Sequence, residues 1–109
     1  MNFKVLSIQP FDKQLKRLAK KYPSLKKEYA ELIYALQQKP NLGVPIGSGC
    51  YKIRLSIASK GKGKSGGARV ITYVQITQTS VYLLAIYDKS EQASVTDREI
   101  KELLKFIIK

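Results

Sequence analysis

Lys52, Arg54 and Arg69 are the residues of this 109-residue chain whose types and spacing could do chemistry. In "YKIRLS", residues 51–56, the two bases alternate with Tyr51, Ile53 and Leu55, so an extended strand puts Lys52 and Arg54 on one side and the apolar residues on the other. Arg69 opens a second β-compatible run, "ARVITYVQI". A guanidinium is never deprotonated at working pH, and its planar fork fits two oxygens of a phosphate. Lysine can act as a base when neighbouring cations and partial desolvation disfavour its ammonium form. Lys52 beside Arg54 and Arg69 would be such a lysine. RNA carries its own nucleophile, the 2′-hydroxyl, and needs only a proton acceptor and stabilisation of the charge that develops at phosphorus. Histidine usually handles the protons, and this chain has none.

Between the two runs lies "KGKGKSGGAR", residues 60–69. A nucleotide-binding loop needs a glycine, four residues, then Gly-Lys-Ser/Thr leading into a helix. Gly63, Lys64 and Ser65 supply the second half, but Ala58 stands at the first glycine's position and a strand follows. Two readings remain: a flexible strand connection, or an arm in which Lys60, Lys62 and Lys64 contact the phosphates of a nucleic acid with little sequence specificity. Cys50 and Ser65 have no visible base or acid partner, so neither is a nucleophile candidate. One cysteine and no histidine leave no zinc-type ligand set, and neither a metal nor another cofactor is expected. Tyr73, Tyr82 and Tyr87 could stack on bases, but strand tyrosines commonly pack in or beside a core.

The charge balance points to a polyanion. Lys and Arg total 20 against 8 Asp and Glu, giving +12. Residues 32–87 hold seven bases and no acid, whereas 88–109 hold five of each. A solvated surface normally mixes signs, so the acid-free stretch is the stronger signal. No apolar run reaches the roughly 20 residues of a spanning helix, and the N-terminal stretch lacks a secretory core, so no membrane association and a cytoplasmic setting are expected.

The elements that must position these residues are legible in outline. The length suits a single domain over 1–109. "FKVLSIQ" predicts a first strand. Phe11, Leu15, Leu18, Ala19 and Tyr22 form one face of a helix with a lysine-rich back, and Leu25, Tyr29, Leu32, Ile33 and Leu36 form that of a second. Only "KYPS" separates them, which predicts a helical hairpin. "PNLGVPIGSG", residues 40–49, reads as a connecting loop because half of it is Gly or Pro. Strands follow over 51–56, 68–76 and 81–87, the last two joined as a hairpin. Thr96 and Glu99 predict a capping box ahead of Ile100, Leu103, Leu104 and Ile107. The expected fold is α+β, a largely antiparallel sheet of about four strands covered on one face.

"YKIRLS", "SGGARVITYV" and "VYLLAIYDKSE" resemble the RelE/ParE superfamily of bacterial toxins, nearest its RelE/HigB-like members. The resemblance runs through most of the chain in element order. It implies a twisted antiparallel sheet with an N-terminal helical hairpin and a C-terminal helix. It also implies a toxin of a type II toxin-antitoxin system that cuts messenger RNA on the ribosome without a metal, and a co-expressed antitoxin as partner. Carried over by position, Lys52 and Arg54 take the two basic places of the catalytic strand, Arg69 the phosphate-clamping arginine, and Lys89 a further basic place, from which it would protonate the leaving 5′-oxygen. Two positions depart from the pattern: Arg54 stands where well-known members carry lysine, and "EQASVTD" offers no clear equivalent of a tyrosine that some members carry there. The same resemblance admits a ParE-like toxin that poisons gyrase without nuclease activity. Charge alone admits a non-catalytic nucleic-acid-binding module.

Overall fold

The computed structural model of the protein describes residues 2–61 and 66–107. Five strands, β1 (Lys4–Ser7), β2 (Val44–Gly47), β3 (Cys50–Leu55), β4 (Ala68–Gln75) and β5 (Ser80–Asp88), form one sheet in the order β1-β5-β4-β3-β2. Among the described residues three α-helices of more than one turn accompany it: α1 (Gln9–Lys21), α2 (Leu25–Gln38) and α3 (Asp97–Leu104). The expected α+β class, helical hairpin and C-terminal helix are all present. The sheet has one strand more than expected, and β1 runs parallel to β5 while every other pairing is antiparallel.

The helices form where the apolar spacing predicted. Phe11 and Leu18 of α1 and Leu25, Leu32 and Leu36 of α2 are buried, and the Phe11 and Tyr29 rings meet at 5.9 Å. Thr96 caps α3 with the reciprocal box: its hydroxyl accepts from the Glu99 amide at 3.1 Å, and the Glu99 carboxylate accepts from the Thr96 amide at 3.1 Å.

Ala68 through Thr72 of β4 are buried without a break. Successive strand residues point to opposite faces, so an unbroken buried run means that both faces are covered. On one face Tyr22, at the end of α1, bonds to Asp88. On the other lies Tyr87, the neighbouring residue of β5, itself buried. The sheet is therefore covered on both faces along β4, which corrects the expectation of a single covered face.

The unexpected strand is β2, inside the glycine- and proline-rich segment read as a loop. It occupies the sheet edge, where Pro45 costs no ladder donor toward a further strand. Gly43, at φ +95°, lets the chain lie close to β3: a Cβ there would stand 2.3 Å from the Lys52 carbonyl oxygen. Gly47, Ser48 and Gly49 all have positive φ and make the tight turn into β3.

Candidate catalytic face

Alternation in β3 is as the sequence predicts: Ile53 is buried, Arg54 exposed and Lys52 half-buried. The register extends this face across the sheet. Arg54 lies directly opposite Arg69, and Arg69 directly opposite Tyr87. Lys52 lies opposite Ile71, two residues along β3 from Arg54 and so on the same face. The structure thus brings Lys52, Arg54 and Arg69 to one side of the sheet. Like charges directly opposite each other destabilise a strand pair. A fold that nonetheless aligns two arginines here gathers positive charge where an anion could use it.

The three cations differ in access. Arg54 is exposed, whereas Arg69 is 5% exposed and donates from Nη1 to the Ala68 carbonyl at 3.2 Å. Its neighbour Tyr87 is also buried, and among the described residues its hydroxyl has no hydrogen-bond partner. Burial pushes the Tyr87 phenol up, Arg69 pulls it down, and Glu99 pushes it up again, with a net rise. It is therefore a neutral donor at ordinary pH. Sequence reasoning assigned Tyr87 to the core. Its place beside Arg69 depends on the β4–β5 register, which slips at Ile71/Thr72, and nothing in the sequence marks that irregularity.

Lys60 does not have the role expected of it. Its ammonium is buried in an ion pair with Asp88 and also donates to the Ser90 hydroxyl at 3.2 Å. A buried pair with a fully buried carboxylate holds it inward, unlike the free cation that the sequence suggests. Lys62 and Lys64 lie outside the described residues. Lys89 turns its ammonium to the Ala93 carbonyl in its own turn, at 3.3 Å, and does not share the β3–β4 pairing.

The Asp88 cluster was missed by sequence reasoning. This fully buried carboxylate accepts from the Tyr22 hydroxyl at 2.6 Å, the Ser90 amide at 2.9 Å, the Ser90 hydroxyl at 2.7 Å and Lys60. Burial alone would raise its pKa, but the hydrogen bonds from Lys60, Tyr22 and Ser90 outweigh that and hold it well below the usual carboxylate range. The same region clamps the short turn Ala58–Lys60 to the helical hairpin. The Ala58 amide donates to Glu28 at 2.6 Å, and the Ser59 amide donates to the Ser24 hydroxyl at 2.9 Å. The Lys89 amide donates to the Gly67 carbonyl at 3.1 Å, so both ends of the lysine-glycine loop are fixed just before Arg69.

Cys50 is buried, and burial raises its thiol pKa, the opposite of what a thiolate nucleophile needs. Among the described residues no group of three or more His, Cys, Asp or Glu is placed to hold a metal ion, and no helix is long and apolar enough to cross a membrane.

Comparison with known proteins agrees with this architecture. Residues 11–108 match the family described as the RelE toxin of the RelE/RelB toxin-antitoxin system. A mutant E. coli RelE toxin in its free state superposes with a TM-score of 0.61 at 15% identity, covering 99% of this chain and 100% of that one. The RelBE2 toxin-antitoxin complex of Mycobacterium tuberculosis gives a TM-score of 0.61 at 16% identity, over 81% of this chain and 99% of its counterpart. The intact E. coli RelBE complex gives 0.60 at 13% identity, over 79% and 95%. At such identities these structures establish the shared fold.

Proposed function

Because the chain belongs to the RelE toxin family, we propose that it is a ribosome-dependent messenger-RNA endonuclease that needs no metal, kept inactive by a cognate antitoxin. The observation that carries the reading is the common face of Lys52, Arg54 and Arg69, with the two arginines directly paired across β3 and β4.

In this scheme Lys52 takes the proton from the ribose 2′-hydroxyl. The 2′-oxygen bonds to the adjacent phosphorus in line, the bond to the 5′-oxygen breaks, and the products carry a 2′,3′-cyclic phosphate and a 5′-hydroxyl. Arg54, exposed beside Lys52, binds the non-bridging oxygens as their charge grows. Arg69, buried directly opposite Arg54, adds permanent positive charge to the same phosphate site. Lys89 returns a proton to the leaving oxygen after releasing the Ala93 carbonyl. The acid-free stretch 32–87 supports an RNA substrate, since nothing acidic within it opposes a phosphate backbone. Antitoxin partnership is supported by the relatives solved with theirs, RelBE2 and RelBE.

The test is cleavage of messenger RNA in translating ribosomes by Lys52→Ala, Arg54→Ala and Arg69→Ala. Each loss of a transition-state contact is expected to slow cutting by about 10²–10³-fold. A substrate with a 2′-deoxy position at the cut should be inert, and a chelator should leave the rate unchanged. Full activity in all three variants would remove the assignment. Gyrase poisoning, the rival mode, would instead show DNA damage with translation intact.

A further inference from the structure

Val44 is the direct cross-strand neighbour of Lys52 in the β2–β3 pair, so its side chain leaves the sheet on the face that carries Lys52 and Arg54. Leu42 and Ile46 lie next to it along the edge and line the same cleft. These three aliphatic residues and the two cations, with Gly43 and Ile53 at the sheet edge, line one open cleft of about 860 Å³, within the range of roughly 300–1,000 Å³ found for ligand sites. Val44 is 64% exposed. A lone exposed aliphatic is ordinary, but this one is flanked by Leu42 and Ile46, both half-buried against the core, and stands directly opposite a cation. Edge strands are commonly protected by charges of their own. This one carries none between Leu42 and Gly47, and Gly43 fixes it close against the Lys52 carbonyl.

A nucleotide has the same two-part chemistry: a flat apolar base a short distance from an anionic phosphate. We propose that Leu42, Val44 and Ile46 form the base-contacting wall of this cleft, against which single-stranded RNA lays one nucleobase while Lys52 and Arg54 hold the neighbouring phosphate. This rests on the RNA reading above and adds a source of sequence preference to it. The wall offers aliphatic side chains and no side-chain hydrogen-bonding group, so it selects by area rather than by base edge. A purine covers more of it than a pyrimidine and is preferred at that position.

The experiment is an abasic scan. A single-stranded oligonucleotide made inert by 2′-deoxy substitution loses one base at a time, and its binding is followed by fluorescence anisotropy. In the parent protein, removal of one particular base should weaken binding about fivefold, the effect of a few tens of Å² of apolar contact. Val44→Ser, on an exposed side chain, should abolish sensitivity at that position alone, and Val44→Trp should increase it. On translating ribosomes Val44→Ser should flatten the purine preference of the cut sites. A flat scan in the parent, or a sensitive position unchanged by Val44→Ser, overturns the wall. Binding with a Val44-dependent position but no cutting on ribosomes supports the wall and overturns the nuclease reading. Tight competition for the cleft by an acidic peptide, with no base-dependent RNA binding, overturns the proposal in favour of a protein partner.

Discussion

At the scale of single residues, Asp88 shows how one side chain can hold a site together without lying in it. It is the first acid after the acid-free stretch 32–87, and it receives Lys60, the first lysine of the glycine-rich loop. A buried pair broken by removing one partner leaves the other charge without compensation, at a cost of about 3–5 kcal/mol. Asp88→Asn should therefore destabilise the protein by about that amount near pH 7, measured by denaturant unfolding. The pH dependence has a definite sign. The folded carboxyl titrates below its unfolded value of about 4, so its contribution is complete above that value and is lost as pH falls toward the folded pKa. Parent and variant should accordingly converge in stability as pH falls below about 4. A gap that stays constant down to pH 2 would show that Asp88 does not act through its charge. The sequence held little sign of this role, because a lysine in a glycine-rich loop reads as a free cation until its partner is placed beside it. Arg54 and Lys52 are the reverse case: alternation alone put them on one face, and the structure keeps them there.

At the scale of elements, the helices and the three long strands were legible because each carries a local signal: a period of 3.6 for α1 and α2, a period of two for β3, and dense β-branched and aromatic runs for β4 and β5. The capping box of α3 was legible for a different reason, since its residues bond to each other within one turn. β2 was not legible. It has four residues, a proline and a terminal glycine, and what makes it a strand is pairing with β3, a partner the local sequence does not show. Gly43 is the residue on which that pairing turns. Gly43→Ala would drive a Cβ to 2.3 Å from the Lys52 carbonyl oxygen and 2.9 Å from Ile53 Cγ1, at a φ of +95° that alanine resists. The expected cost is about 1–3 kcal/mol, a melting temperature lower by roughly 4–8 °C per kcal/mol. Because β2 must move off β3 to relieve the clash, the variant should also lose RNA affinity, whereas a helix-cap variant such as Thr96→Ala of about equal stability loss should keep it. Equal RNA affinity in the two variants would show that β2 takes no part in binding.

Across the whole molecule, net charge alone does not say which side binds. Residues 1–31 carry eight bases, seven of them on the helical hairpin and not on the strand of Lys52 and Arg54. The acids decide how much of the total stays available. Asp88 holds Lys60, Glu91 takes Arg17 at 2.9 Å and Lys21 at 3.5 Å, and Glu102 takes Lys105 at 3.2 Å. Lys52 and Arg54 enter no ion pair among the described residues, so their charge is offered outward. Each phosphate neutralised on a single strand contributes about −0.7 to the slope of log K against log salt. Arg54→Ala should therefore make that slope shallower by about 0.7 in titrations of single-stranded RNA. Lys105→Ala removes a charge already shared with Glu102 and should leave the slope as it is, although both variants lower the net charge equally. If the two slopes change alike, binding follows total charge and the β3 face has no privileged role. If only Arg54 matters, the phosphate path runs across the sheet beside Val44, and the basic helices serve another contact.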